Sequence, residues 1–334
     1  MNAGYAGCMV NVPSRLARAS MLRTFLLLAG VCTSSGVWAA EPDVSPTQGD
    51  EPWYDRAHAG ASDWLVGAAA RLDSFFGDPR AIEEDYSETY IRLRVGMGYS
   101  RLDETEWLSQ AYAKVPLPRL SRRLNLYVSG GAEDESLAAD PKESLQKTER
   151  STSLGVQYVL DDSARGRWSL IGSFDPSLKL RYRYLQPLGS DWYARYTQTF
   201  YWDEDKDTGA ALRGDIERLL RPDTLLRFTL DGDYWDGEDG LRWTAGGALL
   251  QKLDARAALA YDLSVRGVSR PDWVIGQYRA GVRYRRNFFR SWMFYEIEPA
   301  LRWSRDTHVV GDRMRFDPVI FMRLEFQFGD VRGL

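Results

Sequence analysis

Few residues in this chain are suited to acid–base or nucleophilic chemistry. The sequence of 334 residues holds two histidines, His58 and His308, and His308 follows Asp306 by two positions. A carboxylate beside a histidine is one way to build a general base. The chain has no Gly-x-Ser-x-Gly elbow, phosphate-binding loop or metal-ligand motif. We therefore expect no catalytic residue, no metal and no cofactor, and an enzyme remains only as the alternative that rests on His308.

Cysteine chemistry and nucleic-acid binding are also disfavoured. Cys8 and Cys32 are the only cysteines, and both precede the cleavage site predicted below, so the mature chain would have neither a disulfide nor a thiolate metal site. The net charge of −4 argues against a nucleic-acid partner. The chain is rich in tyrosine (18) and tryptophan (12), which suits aromatic belts at two membrane interfaces.

Charged residues instead recur at every second position along many segments. In residues 278–285, Tyr278, Ala280 and Val282 alternate with Arg279 and Arg283. A period of two is typical of β-strands, whose successive side chains point to opposite faces. Strands with apolar residues outside and charges inside fit a closed barrel in lipid, because a barrel leaves no backbone group unpaired.

The predicted lumen residues share the charged face of these strands. They could form either the selective field of a porin or a structural ion-pair network. We favour the network, since side chains can largely close a bore of this size. The residues are Arg92, Arg94, Arg181, Arg183, Arg227, Arg279, Arg283, Arg302, Asp215, Glu217, Asp231, Asp233, Asp262, Glu296, Glu298 and Glu325.

Alternating segments fill the chain from about residue 87 to the end. They predict an all-β fold, a closed antiparallel transmembrane β-barrel of 14 strands, with 12 as the alternative if the turn at Asp175 is only a bulge. Long acidic links alternate with short basic or proline-marked ones, as in barrels with long external loops and tight periplasmic turns. Pro299 predicts a β-bulge. Aromatic residues at strand ends would lie at the lipid headgroups: Tyr99, Trp202, Trp235, Trp303 and Phe328.

The N-terminal residues predict export. We favour Met21 as the true start, since it begins a leader of ordinary length. It is followed by Arg23, an apolar core too short to span a membrane, and a small-x-small site ending at Ala39. We assign residues 1–39 to a signal peptide, 40–86 to a periplasmic linker and helix, and 87–334 to the barrel.

An amphipathic helix is predicted between Trp64 and Phe76. Ser62 and Asp63 can cap it, and its apolar residues fall on one stripe. It could plug the barrel or dock a periplasmic partner. We favour a third interpretation, in which it packs on the barrel rim or the membrane surface. The apolar stripe consists of Leu65, Ala68, Ala69, Leu72, Phe75 and Phe76.

Two sequence features resemble known families. The segment from Phe321 to Phe328 resembles the C-terminal insertion signal of Gram-negative outer-membrane barrels, with Leu324, Phe326 and Phe328 as its apolar positions, although six residues follow it here. That resemblance implies recognition by the barrel-assembly machinery and contact with outer-membrane lipid and lipopolysaccharide.

A narrower resemblance covers nearly all of the mature chain. FFGDPR from Phe75, RYRR from Arg283 and WMFYEIEP from Trp292 resemble a group of uncharacterised proteobacterial outer-membrane proteins. It implies a barrel in the outer membrane but no activity or substrate. We expect a channel or transporter for small solutes, with a non-conducting structural or assembly barrel as the alternative.

Overall fold

The described part of the chain lies within one compact unit, Pro52–Leu334. In the computed structural model, the described residues are 67, 69, 71, 72, 75, 76, 89–102, 105–117, 123–130, 152–163, 165–173, 177–189, 191–204, 207–236, 240–270, 272–309 and 311–329. The predicted signal peptide and its cleavage site lie outside these residues.

Fourteen strands follow one another along the chain. They are β1 (Tyr90–Ser100), β2 (Glu106–Pro116), β3 (Leu124–Gly130), β4 (Thr152–Asp162), β5 (Gly166–Ser173), β6 (Ser177–Pro187), β7 (Trp192–Asp203), β8 (Asp207–Arg221), β9 (Thr224–Trp235), β10 (Leu241–Lys252), β11 (Ala257–Val268), β12 (Val274–Asn287), β13 (Met293–Ser304) and β14 (Arg315–Gly329). Among the described residues, no helix has the length and hydropathy needed to cross a membrane.

The strands form a closed barrel in which each strand pairs antiparallel with its neighbours in sequence. Closure joins β1 to β14, from Tyr90 opposite Gly329 to Ser100 opposite Val319. The prediction of 14 strands is confirmed. β5 and β6 pair with each other, with Ser173 opposite Ser177, so they are two separate strands and not one strand with a bulge.

Side chains alternate between the two faces of the wall as the period of two predicts. In β1, Leu93, Val95 and Met97 are exposed outward, whereas Arg92 and Arg94 are buried. An apolar exterior around a charged interior is the arrangement required of a barrel that spans lipid. The fold is therefore that of a membrane-spanning barrel of the outer-membrane type.

The predicted bulge at Pro299 is wrong. Pro299 lies opposite Ile320 in an unbroken register with β14, and the register with β12 is the same on both sides of it. Only the pairing with β12 is interrupted beside it, at Val282 and Arg283, as expected because proline has no backbone N–H to donate. A strand can omit one bond without gaining a residue. Register shifts occur instead at Val159/Asp161, Leu219/Arg221 and Arg266/Gly267.

The two ends of the barrel differ in their connections. We call the end where β1 begins and β14 finishes the terminal end, and the opposite end the loop end. Terminal-end turns are short, such as residues 222–223 and 253–256, while loop-end links include residues 131–151 and 305–314. Outward aromatic pairs lie at both ends: Trp292 near Phe328 at the terminal end, and Trp303 near Phe316 at the loop end.

Candidate functional site in the barrel lumen

The structure places most of the predicted lumen charges in the interior. Thirteen of the sixteen are buried, and Arg183, Asp231 and Asp233 are partly exposed. The buried ones are Arg92, Arg94, Arg181, Arg227, Arg279, Arg283, Arg302, Asp215, Glu217, Asp262, Glu296, Glu298 and Glu325.

Glu298 on β13 is the centre of the largest charge cluster. Arg283 donates its Nε to Glu298 Oε2 at 2.8 Å, and Arg279 and Arg323 also pair with this carboxylate. Arg323 Nε lies 2.9 Å from Glu296 Oε2. Buried carboxylates of this kind need several donors, because each loses its hydration on burial. The cluster ties β12, β13 and β14 together across the lumen side of the wall.

Glu325 extends this cluster across the seam of the barrel. Its Oε1 accepts from Arg285 Nη2 on β12 at 2.7 Å, and its Oε2 accepts from Arg94 Nε on β1 at 2.9 Å. Gln327 donates to the same carboxylate at 2.6 Å. The first and last strands are therefore joined by charge as well as by backbone pairing.

A second cluster lies on β8 and β9. Arg227 Nε donates to Glu217 Oε1 at 2.8 Å. Arg213 Nε donates to Asp215 Oδ2 at 3.1 Å, and the Thr229 hydroxyl donates to Asp215 Oδ1 at 2.6 Å. All of these side chains are buried. The two clusters make most of the described lumen charges members of ion pairs.

Asp317 fixes the seam near the loop end. It accepts from the Ser100 hydroxyl at 2.7 Å and from the backbone N–H groups of Arg101 and Leu102 at 2.9 and 3.1 Å. Arg302 supplies the counter-charge. The start of the β1–β2 connection is thus held against β14.

Several buried lumen residues were not in the predicted set. Arg285 and Arg323 lie on the same alternating faces as predicted members, so the period of two was the signal that could have found them. Asp317 could not be found in this way because β14 begins at Arg315, and Asp317 precedes the alternating segment that starts at Phe321 in the sequence analysis. The remaining charged members are Lys114, Arg195 and Arg213.

Helical residues from the predicted amphipathic segment occupy the terminal end of the lumen. Gly67, Ala69, Arg71, Leu72, Phe75 and Phe76 are helical. Ala69, Leu72, Phe75 and Phe76 are buried, at 0 to 3 % exposure, whereas Gly67 and Arg71 are exposed. We call these four buried residues the plug face. Their spacing places them on one side of a helix.

The plug face contacts an apolar floor on the barrel wall. The Phe75 ring meets Phe294 edge-on, with centroids 5.8 Å apart, and Lys252 Nζ lies 5.6 Å from the Phe75 centroid. The membrane-surface position is therefore wrong, because the helix packs on inward-facing wall residues. These residues lie near the strand ends, such as Tyr193 and Phe294 at the second positions of β7 and β13, so the helix packs at the terminal-end rim, on its inner side. The floor residues are Tyr193, Leu219, Leu225, Ala248, Leu250, Ala258, Ala260 and Phe294.

The lumen is more open towards the loop end. Asp231 and Asp233 are partly exposed, and Arg242, which donates to Asp233 at 3.1 Å, has a side chain 43 % exposed. Trp235 was expected at the headgroups, but it shares the lumen face with Asp233 and stacks on Tyr201 at 5.0 Å. Gly209, directly opposite Trp235, leaves room for the indole. The lumen face of β9 and β10 is thus more exposed near the loop end than beside the apolar floor.

The candidate base His308 is exposed in the loop between β13 and β14. Asp306 accepts the backbone N–H of His308 at 2.9 Å, so this contact shapes the turn rather than orienting the imidazole. The backbone N–H of Asp306 donates to Asp312, which lowers the pKa of the Asp312 carboxyl. Within the described ranges, no three acidic, histidine or cysteine side chains form a metal site.

The apolar exterior, the ion-paired interior and the plugged terminal end together define a closed membrane-spanning β-barrel. No protein-family model and no curated protein matches the sequence.

Solved outer-membrane barrels are similar in shape. A loop-deletion mutant of OmpT from Vibrio cholerae shares 11 % identity, covering 72 % of this chain and 98 % of its own, with a TM-score of 0.46. An anion-selective porin from Comamonas acidovorans shares 8 % identity over 72 % and 99 %, with a TM-score of 0.46. Pseudomonas putida OprB shares 12 % identity over 76 % and 96 %, with a TM-score of 0.43. Likeness of this degree says nothing about the function of this chain.

Proposed function

We propose that this protein is an outer-membrane channel for small solutes, held closed from the periplasmic side by its N-terminal helix. The short turns and the joined strand ends support a periplasmic position for the terminal end, and the longer links support an external position for the loop end. The more exposed part of the lumen face, near the loop end of β9 and β10, would then face the medium from which solutes enter.

The observation that carries this proposal is the burial of the plug face inside the lumen. Phe75 and Phe76 are 2 % and 1 % exposed and lie against residues of the apolar floor. The described contacts of this helix with the wall are side-chain contacts. A segment held by side-chain packing can leave without breaking a strand pairing, so it acts as a removable closure.

The strength of this closure is suited to a gate. Burying one phenylalanine side chain stabilises the closed state by about 1.5–3 kcal/mol. Two such rings supply several kcal/mol, which makes the closed state dominant. A ligand or partner with a comparable preference for the open state would reverse the balance.

Conductance in planar bilayers tests the proposal. A Phe75→Asp/Phe76→Asp variant places two charges in the apolar floor, so the helix is expected to leave the lumen and the barrel to conduct. Arg71→Asp is the matched control, because the same charge enters on the exposed face of the same helix. The wild type and the control should stay closed for most of the recording. The channel is refuted if the double variant folds but does not conduct, and if a folded barrel that lacks residues 52–86 does not conduct either.

A non-conducting structural or assembly barrel is the second candidate. It is favoured by the buried cluster around Glu298, in which three arginines surround one carboxylate. In that case the helix would serve a periplasmic partner through the segment from Trp64 to Phe76. Loss of crosslinked partners or envelope integrity on deleting residues 51–76, together with silent bilayers, would favour this role.

Biogenesis in the outer membrane is part of the same proposal. Leu324, Phe326 and Phe328 alternate with the buried Arg323, Glu325 and Gln327 on β14. Trp292 packs beside Phe326 and Phe328, with ring centroids 6.2 and 5.3 Å away. The barrel-assembly machinery would recognise Leu324, Phe326 and Phe328. The outer surface of the folded barrel would contact lipid and lipopolysaccharide. We propose no catalytic role for any residue.

A further inference from the structure

Two cations and two aromatic rings alternate where the plug face meets the barrel wall. The guanidinium carbon of Arg285 on β12 lies 4.1 Å from the centroid of the Phe294 ring on β13. Phe294 in turn meets the Phe75 ring of the helix edge-on, with centroids 5.8 Å apart. On β10, Lys252 Nζ lies 5.6 Å from the centroid of the same Phe75 ring. We call Lys252, Phe294 and Arg285 the latch.

The strand register explains why the two cations of the latch lie on either side of one position. Ala258 on β11 lies directly opposite Lys252 on β10 and directly opposite Arg285 on β12. Ala258 is fully buried and belongs to the same apolar cluster as Phe75. A larger side chain at this position would fill the gap on the lumen face. Alanine therefore leaves space between the two cations for an aromatic ring.

Arg285 is held in place by two carboxylates. Its Nη2 donates to Glu325 Oε1 at 2.7 Å, and its Nη1 donates to Glu296 Oε1. All three side chains are at most 1 % exposed. A guanidinium can donate to acids within its plane while its flat face stacks on a ring. Arg285 thus pairs with the acids and also fixes the ring against which the helix packs.

The contacts of the latch add to the apolar burial of the plug face. A cation near the face of an aromatic ring is attracted by the negative charge of that face, and the attraction is stronger where water is excluded. Phe294 and Phe75 are 0 % and 2 % exposed, whereas Lys252 is partly exposed near the terminal end. A Phe75→Leu variant would still bury an apolar side chain but would offer no ring. Burial and cation contact can therefore be separated by experiment.

We propose that the latch determines how often the plug face leaves the lumen. Lys252 contacts Phe75 directly, and Arg285 is a positioning residue that acts through Phe294. The inference deepens the proposed closure of the barrel by its helix and rests on it. It assigns the regulation of that closure to two charged wall residues, in addition to the apolar floor.

Chemical modification of a Phe76→Cys variant measures release of the helix. In the full chain, the native Cys8 and Cys32 are replaced by serine, so that the introduced thiol is the only one. Phe76 is 1 % exposed, so a water-soluble maleimide should react with this thiol when the helix has left its seat. The labelling rate, followed by mass spectrometry, then reports the open fraction. This readout does not depend on whether the barrel conducts.

Loss of the lysine charge should accelerate labelling. Lys252→Met is expected to raise the rate roughly two- to fivefold, the strength of a partly exposed cation–π contact. Lys252→Arg keeps a cation and should retain the original rate. Lys179→Met is the matched control, because Lys179 lies 6.0 Å from the Tyr201 ring near the loop end, away from the plug face. In a Phe75→Leu background, Lys252→Met should have no further effect, since the ring that Lys252 contacts is gone.

Arg285→Lys tests the positioning role of the second cation. The substituted side chain keeps a positive charge beside the buried acids but has no planar face to stack on Phe294. Labelling is therefore expected to be a few times faster. Phe294→Leu removes the same stacking contact without changing a charge, and it serves if Arg285→Lys does not fold. Electrophoretic mobility before and after heating confirms that each variant is folded.

The outcomes separate the latch from the proposed channel. Faster labelling in Lys252→Met that disappears in the Phe75→Leu background supports the latch. Equal rates in Lys252→Met and Lys179→Met, or the same acceleration without the Phe75 ring, overturn it even if the barrel conducts. An unchanged rate in Phe294→Leu overturns the role of Arg285. Silent bilayers together with the expected labelling rates overturn the channel and leave the latch standing.

Discussion

Arg94 on the first strand and Glu325 on the last strand form a buried ion pair across the seam of the barrel. Arg94 Nε lies 2.9 Å and Nη2 lies 2.8 Å from Glu325 Oε2, and the side chains are 4 % and 0 % exposed. The same carboxylate accepts from Arg285, so one acidic group connects three strands. Closure of the sheet therefore depends on a charge pairing as well as on backbone hydrogen bonds.

Replacing Glu325 should weaken the seam strongly. Glu325→Gln leaves Arg94 and Arg285 buried without this counter-charge, and removal of one partner from a buried pair costs about 3–5 kcal/mol. Urea unfolding of the refolded barrel in lipid measures this cost. Asp191→Asn is the control, since its pair with Arg218 is exposed and 3.9 Å long. Exposed pairs contribute about 0–1 kcal/mol, and equal losses in the two variants would contradict the role of Glu325.

Accessibility should distinguish the two faces of the plug helix. A protein that is expressed as residues 40–334 contains no native cysteine, so a single cysteine can be introduced by Phe76→Cys or by Arg71→Cys. Phe76 is 1 % exposed and Arg71 is exposed, so a water-soluble maleimide should modify the Arg71→Cys variant much faster. Mass spectrometry over time gives the two rates. Similar rates would mean that the plug face is not held in the lumen.

Two glycines of β8 should respond oppositely to alanine. A Cβ at Gly209 would lie 2.8 Å from the Trp235 ring and 2.8 Å from the Tyr234 carbonyl oxygen, whereas nothing lies within 4 Å of a Cβ at Gly214. Gly209→Ala should therefore disturb the Trp235–Tyr201 stack and destabilise the barrel by about 1–3 kcal/mol. Gly214→Ala should be neutral or slightly stabilising. The urea concentration at the midpoint of unfolding measures both effects. A Gly209→Ala variant as stable as the wild type would contradict the close contact between residue 209 and Trp235.

The proposed insertion signal predicts a kinetic defect. Phe328→Ala should slow assembly in cells, because it removes the last apolar residue of the pattern, while barrels that do fold should keep nearly normal stability. Pulse-chase measurement of the heat-modifiable form follows this rate. Phe316→Ala is the control, an outward aromatic at the other end of the same strand. Equal assembly rates in the two variants would argue against recognition of Phe328.

The local pattern of the sequence was sufficient for the wall of the barrel. Ile91, Leu93 and Val95 had to share one face and Arg92 and Arg94 the other, because an extended chain turns each successive side chain by half a revolution. Gln198 is a polar residue on the outward face, where the other strands carry mostly apolar side chains. Tyr196 donates to its Oε1 at 3.2 Å, and its Nε2 donates to the Ala211 carbonyl at 2.9 Å, so its amide is satisfied locally.

The charge pairing across the seam and the position of the helix needed tertiary information. Arg94 and Glu325 are 231 positions apart, and their contact depends on the register in which β1 meets β14. Alternation determines the face of a residue but not its partner. Likewise, Phe75 and Phe76 indicated that the helix packs on an apolar surface, but they did not indicate which surface of the protein or membrane that is. Leu225, Leu250 and Phe294 come from three separate strands and form a floor only when the barrel closes.

The sequence alone therefore determined the alternating strands and the charged interior, since each follows from backbone geometry over a few residues. It left 12 strands as the alternative to 14, and the pairing of β5 with β6 decided between them. Only the tertiary structure decided which charges pair and that the helix lies inside the lumen. Both depend on distant residues that closure of the sheet brings together.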